Sequence, residues 1–205
     1  MHSGLLFIRQ MLDDFEIESD HGVFHGAVHP PLAISLTAFR RMLPQRALPA
    51  DFLKQILRHL LRSVDFLHTE AKMIHTGKAA ARQERTLSHN FLIIDIQESN
   101  ILLGMDETTA EQDLDKYEQD ELKSPYARKI DGDRVIYTSR RLVPEEYNYG
   151  RPVLCDFGEA RFGEYDNMID IQPYQYRAPE VIFDIPWDNK VDIWSVGVMV
   201  RTEVV

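Results

Sequence analysis

The sequence predicts an α+β fold, and three features of its apolar pattern indicate it. Two β-patterned runs at 15–18 and 23–28 flank a Ser-Asp-His-Gly turn and predict an antiparallel hairpin. A single long amphipathic helix is predicted over 51–69. Short apolar runs at 101–103 and 153–155 predict buried strands. With 205 residues, 44% of them hydrophobic and 27% charged, the chain is expected to be globular with one sizeable core.

The first third of the chain gives these elements in order. Residues 5–11 predict a short helix or loop, and the hairpin follows. His-Pro-Pro-Leu at 29–32 ends the second strand, because proline cannot donate to a β-ladder. A short helix is predicted over 34–42. The long helix begins after Pro49, and its apolar residues recur at i, i+3 and i+4 spacing at positions 52, 53, 56, 57, 60, 61, 64 and 67.

Three motifs in fixed order predict phosphoryl-transfer chemistry. The apolar run 153–155 leads into Asp156-Phe157-Gly158, Arg-Ala-Pro-Glu follows at 177–180, and Asp-Ile-Trp-Ser-Val-Gly follows at 192–197. Alone, Asp-Phe-Gly would be an ordinary turn after a strand. The three together, at these distances, are typical of the activation segment of a protein kinase. Asp156 would then hold Mg²⁺ against the phosphates of ATP.

A second motif supplies the other predicted catalytic groups. Asp95 to Asn100 read Asp-Ile-Gln-Glu-Ser-Asn. In a protein kinase Asp95 would accept or orient the proton of the substrate hydroxyl, and Asn100 would hold a second Mg²⁺. On their own both are typical turn residues, but the strand that follows them and the presence of Asp156 favour the catalytic interpretation. Gln97 replaces the usual lysine near the γ-phosphate, which removes a positive charge from the transition state.

The adenine of ATP is expected to meet the segment after the predicted hairpin. In a kinase, backbone groups at Ala27, Val28 and His29 would contact the adenine, and we place Leu102 in the same cofactor site. Without the downstream motifs, the two prolines after His29 would be read as a plain linker.

Eighteen residues, 77–94, interrupt the catalytic motif. His75 and Thr76 should be followed directly by Asp95, yet Gly-Lys-Ala-Ala-Ala-Arg-Gln-Glu-Arg-Thr-Leu-Ser-His-Asn-Phe-Leu-Ile-Ile intervenes. Its ends, Gly-Lys and Ile-Asp, can be encoded by splice-donor-like and splice-acceptor-like sequences. We hypothesise a retained intron or gene-model artefact, with a true surface insertion as the alternative. Transcript sequencing distinguishes them.

The connection between Asn100 and Asp156 is longer than a plain kinase needs. We predict a long loop over 104–150, whose acidic part, 106–121, is rich in Asp and Glu and poor in aromatic residues. A docking role for this part is open, but a solvated surface loop is the favoured interpretation.

Charge and composition exclude several classes of function. The net charge is −10 with no basic stripe, so direct nucleic-acid binding is not expected. No run of 18 apolar residues and no signal-peptide pattern occur, so we expect a soluble intracellular protein without a membrane partner. Cys155, the single cysteine, is expected to be a small buried hydrophobe.

One run of residues is similar to a known family. Gln-Pro-Tyr-Gln-Tyr-Arg-Ala-Pro-Glu-Val at 172–181, Pro-Trp at 186–187, Lys-Val-Asp-Ile-Trp at 190–194 and the segments Leu-His-Thr-Glu and Met-Ile-His-Thr within 67–76 resemble the SR-protein kinases, which are CMGC serine/threonine kinases. The resemblance implies a two-lobed kinase fold, ATP and Mg²⁺ as cofactors, and Arg/Ser-rich protein substrates. It also implies a role in splicing regulation in the cytoplasm or nucleus, and Thr76 implies activity without an activating phosphorylation.

The same resemblance implies a partial domain. Residues 1–28 would be the remnant of the small lobe and 29–205 a truncated, mainly helical large lobe. No glycine-rich loop, β3 lysine or αC glutamate precedes Leu5. We therefore expect this polypeptide to have little or no activity by itself. Two alternatives stay open at this point: a non-catalytic pseudokinase or scaffold that binds basic partners, and a truncated gene product without a stable fold.

Overall fold

A computed structural model describes residues 2–20, 22–71, 74–75, 96–132, 134–144, 148–157, 160–161 and 171–204. The interrupting segment 77–94, and with it Thr76 and Asp95, lies outside the described residues. Two compact units are present. The first unit comprises Met1–Gln10, Ser35–Ile101 and Pro152–Val205, and the second unit comprises Met11–Ile34 and Leu102–Arg151.

The chain alternates short strands with helices of very different lengths. In chain order the strands are β1 Asp13–Ser19, β2 Gly22–Val28, β3 Leu32–Ser35, β4 Ile74–His75, β5 Ile101–Met105, β6 Arg128–Asp131, β7 Arg134–Tyr137, β8 Tyr149–Leu154 and β9 Ala160–Arg161. The helices are α1 Leu36–Met42, α2 Ala50–Phe66, α3 Ala110–Lys123, α4 Pro179–Ile182 and α5 Lys190–Val204. The predicted mixture of helices and strands is confirmed.

Helix α2 forms the centre of the first unit. Pro49 stands at its N-cap, as its sequence predicts, and a turn of π-helix, Leu67–Ala71, continues it. Its apolar face is buried together with residues from α1, α4, α5 and the segments between them. The buried set is Ile8, Leu36, Leu48, Leu53, Ile56, Leu60, Val64, Leu67, Ile96, Ile101, Leu154, Ile171, Tyr176, Ala178, Val181, Val191, Val196 and Met199.

A 3-10 helix, Ser3–Phe7, packs along the outside of α2. Gly4 lies so close that a Cβ at this position would be 1.9 Å from the carbonyl oxygen of Arg62. The hydroxyl of Ser63 is within hydrogen-bond distance of the carbonyl oxygen of Phe7, at 3.2 Å. This close approach requires glycine at position 4, since any side chain there would push the segment off the helix.

The short helix predicted over 34–42 begins two residues later than expected. Residues Leu32–Ser35 form β3, which pairs with β5, and α1 starts at Leu36. The side chain of Ser35 caps α1 by accepting a hydrogen bond from the backbone N–H of Ala38, at 3.3 Å. Residues 34 and 35, which the local pattern assigned to the helix, therefore belong to β3, because β3 pairs with β5.

The second unit contains the predicted hairpin and most of a three-stranded sheet. β1 and β2 pair antiparallel in the register Asp13↔Val28 to Ser19↔Gly22. In the sheet, β5 lies between β3 and β8. Gly150 permits the approach of β8 to β5, because a Cβ there would be 2.3 Å from the carbonyl oxygen of Met105.

The prediction of a long loop over 104–150 is wrong for much of its length. The acidic part, 106–121, contains most of α3, and a hairpin of β6 and β7 follows. Leu114 and Tyr117 are partly buried on one side of α3, and its glutamates, glutamines and lysines are good helix formers. Charge density was therefore a poor guide here, because solvated acidic residues can occupy one face of an amphipathic helix.

Arg140 ties the segment after β7 to the end of α3. Its Nε donates to Glu121 Oε2 at 2.9 Å, and its guanidinium lies 5.5 Å from the ring centroid of Tyr126. The backbone N–H of Tyr126 and the Arg140 guanidinium together hold the pKa of Glu121 below its usual range.

No helix in the described part of the chain is long and apolar enough to cross a membrane.

The central position of α2 yields a stability prediction. Ile56 is fully buried, whereas Leu61 on the same helix is 46% exposed. We expect Ile56→Ala to lower the free energy of unfolding by about 2–5 kcal/mol, because it removes buried contacts and leaves a cavity. Leu61→Ala is the matched control and should change it by less than about 1 kcal/mol. Urea denaturation followed by circular dichroism measures both, and equal effects would contradict the assignment of the core face.

Candidate functional site in the first unit

The predicted metal ligand Asn100 is held by a tight turn before β5. Residues Glu98–Asn100 form one turn of 3-10 helix, in which the backbone N–H of Asn100 donates to the carbonyl oxygen of Gln97 at 3.0 Å. Asn100 is buried, and its Oδ1 accepts a hydrogen bond from the hydroxyl of Ser99 at 3.3 Å. The turn therefore holds the backbone of Asn100 in place at the start of the strand.

The predicted metal ligand Asp156 follows β8 by two residues. The backbone N–H of Cys155 donates to the carbonyl oxygen of Asn100 at 2.8 Å, so the backbones that carry Asn100 and Asp156 lie side by side. Asp156 is exposed and has φ of 65°, a left-handed conformation that is uncommon for a residue other than glycine. Such strained conformations cluster at functional sites, where the surrounding structure enforces them.

Phe157 holds this corner from the inside. Its ring is partly buried and packs against the apolar core of the first unit. Cys155 on the other side of Asp156 is buried as a reduced thiol, as its sequence context predicts. Apolar anchors thus flank the exposed carboxylate of Asp156 and fix the direction of the chain through it.

The donor atoms at this corner fit a hard divalent cation. An amide oxygen from Asn100 and a carboxylate from Asp156 are both oxygen ligands, which Mg²⁺ prefers. Within the described residues no group of three or more His, Cys, Asp or Glu side chains could hold a metal. A cation here would complete its coordination with water and substrate phosphates, as Mg²⁺ commonly does.

The other predicted site residues fall in different places. Gln97 is described in the first unit beside Asn100, whereas Asp95 lies outside the described residues. The second unit contains all the residues predicted to contact adenine. Ala27 and Val28 end β2, His29 follows it, and Leu102 lies in β5. Within that unit the carbonyl oxygen of Val28 accepts a hydrogen bond from the backbone N–H of Leu12 at 2.8 Å.

Gln172 is an anchor that the sequence analysis missed. Its Oε1 accepts from the backbone N–H of Ala178 at 2.9 Å, and its Nε2 lies 2.7 Å from Ser195 Oγ and 2.8 Å from the carbonyl oxygen of Val191. Its own φ is 64°. One side chain thereby joins the Arg-Ala-Pro-Glu motif to α5. The amide stands at the head of the run that carries the family resemblance, but nothing in the sequence reveals its partners.

A second missed contact fixes the start of α5. Asp192 is fully buried, and its Oδ2 lies 2.8 Å from Nε2 of His68, in the π-turn after α2. Burial of a carboxylate is costly without a close hydrogen-bonding partner. In the sequence Asp192 stands out only as part of a motif. In the structure it holds the start of α5 against the end of α2.

The Arg-Ala-Pro-Glu motif also carries an exposed aromatic–cation pair. The guanidinium carbon of Arg177 lies 5.0 Å from the ring centroid of Tyr174, which is largely exposed to solvent. This geometry is that of a cation–π contact. Ala178 within the motif and Val181 directly after it are buried in the core, whereas Tyr174 is exposed to solvent.

Comparison with solved structures identifies the architecture. The chain superimposes on a crystal structure of a kinase domain with a TM-score of 0.57 and 21% identity, over 96% of this chain and 46% of that chain. The fold is therefore a partial protein-kinase fold, as predicted. No protein-family model matches the sequence.

Sequence comparison finds relatives among known serine/threonine protein kinases. A serine/threonine protein kinase of Aspergillus fumigatus is 34% identical over 201 residues, which cover 97% of this chain and 42% of the relative. The serine/threonine-protein kinase SRPK of Physarum polycephalum is 27% identical over 203 residues, 93% of this chain and 44% of the relative. The chain is thus similar to serine/threonine protein kinases, one of which is named SRPK, and it spans less than half the length of these relatives.

The Gln172 anchor yields a prediction about the motif that follows it. Gln172→Ala leaves the buried partners of the amide, among them Ser195 and the backbone N–H of Ala178, without its hydrogen bonds. We expect the free energy of unfolding to fall by about 1–3 kcal/mol. Gln175→Ala is the control, because Gln175 is exposed three residues along the same segment. Thermal unfolding monitored by calorimetry decides, and equal midpoints for the two variants would contradict the anchoring role.

Proposed function

We propose that the protein is an ATP-dependent serine/threonine protein kinase, of which the 205-residue chain by itself has little activity. The observation that supports the proposal is the hydrogen bond between the backbones of Cys155 and Asn100, because it sets side by side the backbones that carry Asn100 and Asp156, the two residues that would hold the metal ions. Kinship with serine/threonine kinases supports the same conclusion and implies ATP and a divalent metal.

Each residue of the site has a separate task in this proposal. Asn100 and Asp156 hold Mg²⁺, and their fixed backbones keep the ligand oxygens in place before the nucleotide arrives. The bound Mg²⁺ supplies neutralisation of the charge on the ATP phosphates. Asp95 orients the substrate hydroxyl and accepts its proton. Gln97 donates a hydrogen bond from a neutral amide, where most kinases present the positive charge of a lysine.

Kinship and net charge both support one proposed class of substrate. One relative is named SRPK, and the present chain has a net charge of −10. An acidic protein attracts basic peptides, so we propose Arg/Ser-rich proteins of the cytoplasm or nucleus as substrates.

A second candidate function is a pseudokinase scaffold that binds the same basic partners without catalysis. The neutral side chain of Gln97 favours it, since phosphoryl transfer depends on positive charge near the transferred group. Nucleotide binding alone does not separate the two candidates, but phosphate transfer does.

The first test is Mg-ATP binding to the 205-residue chain by isothermal titration calorimetry. Asp156→Asn removes the metal-binding charge and should weaken Mg-ATP by about tenfold or more, which corresponds to the roughly 1.4 kcal/mol of one charged contact. Asp184→Asn is a matched control, because Asp184 is also exposed and also has a positive φ, 52°. Equal affinities for both variants would remove Asp156 from the metal site, and no binding by the unsubstituted chain would contradict the proposed function.

Restoring the missing charge tests catalysis itself. We expect Gln97→Lys to raise kcat/KM for phosphate transfer to an Arg/Ser peptide by about tenfold, because a cation near the γ-phosphate stabilises the developing negative charge. Gln97→Met has similar length without a charge and should not raise it. Radiolabelled phosphate incorporation measures the rates. No transfer by any of the three proteins, with Mg-ATP binding intact, would favour the scaffold.

A further inference from the structure

A buried ion pair connects α1 to the turn that holds Asn100. Arg40 Nε donates to Glu98 Oε2 at 2.9 Å. The side chain of Glu98 is only 7% exposed and that of Arg40 is 26% exposed. A pair of this kind differs from a surface salt bridge, because removing one partner leaves the other charge in a poorly hydrated place.

Helix α1 is well suited to act as the fixed end of this contact. Ser35 caps its start, and Phe39 packs against Phe52 of α2 with ring centroids 5.3 Å apart. The guanidinium of Arg40 also donates to the carbonyl oxygen of Arg46, at 3.2 Å, in the turn after the helix. The cation is therefore held by α1 and by the chain that follows it.

The other end of the contact is a very short turn. The segment Glu98–Asn100 has three residues and contains the metal ligand itself. The backbone of so short a turn moves as one piece, so a contact that holds Glu98 in place also restrains the backbone of Asn100. The carbonyl oxygen of Asn100 in turn accepts from Cys155, the residue before Asp156.

We propose that Arg40 is a positioning residue for the metal site. Through Glu98 it holds the turn that presents Asn100, and through the bond from Asn100 to Cys155 it stabilises the backbone that carries Asp156. The inference rests on the proposed function, since the site it positions is the Mg-ATP site. It assigns α1 a part in metal-dependent nucleotide binding, a role that neither the motifs nor the family resemblance gave to this helix.

The test compares four variants of the full chain. Arg40→Ala removes the cation, and Arg40→Lys keeps the charge with a single donor group. Arg41→Ala is the local control, because Arg41 is exposed on the same helix. Val64→Ala is the stability control, because it truncates a buried side chain of α2 outside this contact.

Two readouts separate positioning from general stability. Hydrogen exchange of the backbone amides 96–103 reports the order of the turn and of β5, and calorimetry reports ATP affinity with and without Mg²⁺. We expect Arg40→Ala to speed exchange at these amides about tenfold and to weaken Mg-ATP about fivefold or more, while metal-free ATP binding is unchanged. Arg40→Lys should recover part of both effects, and Arg41→Ala should match the unsubstituted chain.

A double-substitution cycle isolates the pair itself. If Arg40 acts through Glu98, then Glu98→Gln should weaken Mg-ATP, and adding Arg40→Gln to Glu98→Gln should cost little more than either change alone. Fully additive losses would overturn the proposal. So would unchanged exchange at 96–103 in Arg40→Ala, or an equal selective loss of Mg-ATP affinity in Val64→Ala.

The failure of this inference can be told apart from failure of the proposed function. If the unsubstituted chain binds no Mg-ATP, the kinase proposal is contradicted. The exchange rates at 96–103 then still decide whether Arg40 orders the turn. If the unsubstituted chain binds Mg-ATP and Arg40→Ala binds equally well, only the positioning role is overturned.

Discussion

Burial of one face of α2 is the constraint on which the first unit depends. A lone helix of its length would be marginal in water, so its apolar face must be covered by other parts of the chain. The segments that cover it include Ile96 and Ile101 on either side of Asn100, and the end of β8 at Leu154, just before Asp156. Helix α5 adds Met199 to the same core. Asn100 and Asp156 thus lie on a foundation of apolar contacts, although neither side chain contributes to it.

Buried polar contacts select one arrangement of the chain among those that apolar packing alone would allow. Buried carboxylates at Asp192 and Glu98 each meet a basic side chain, and the amide of Gln172 satisfies three partners at once. Hydrophobic burial has no direction, whereas each of these hydrogen bonds is satisfied in only one arrangement of the chain. The arrangement of the site consequently depends on side chains to which no contact with nucleotide or metal is assigned.

Sequence pattern predicted those parts of the fold in which local signals agree with tertiary contacts. The β1–β2 hairpin and α2 were predicted because alternation and helical periodicity are visible over many residues. The start of α1 was displaced because β3 pairs with β5, a partner far away in the chain. The acidic run before Lys123 was misjudged as a loop, since its net charge concealed an amphipathic helix. Gln172, His68 and Arg40 could not be recognised, because their importance comes from distant partners that no local pattern encodes.

The position of Cys155 makes its thiol a natural probe of local opening at the end of β8. It is the only cysteine in the sequence, the residue is 2% exposed, and its backbone N–H donates to the carbonyl oxygen of Asn100. A thiol reagent can reach it only when this strand end opens, so the rate of alkylation measures the free energy of that local opening. Ligands that close the corner should slow the labelling, which provides an assay of site order that requires neither catalysis nor any engineered label.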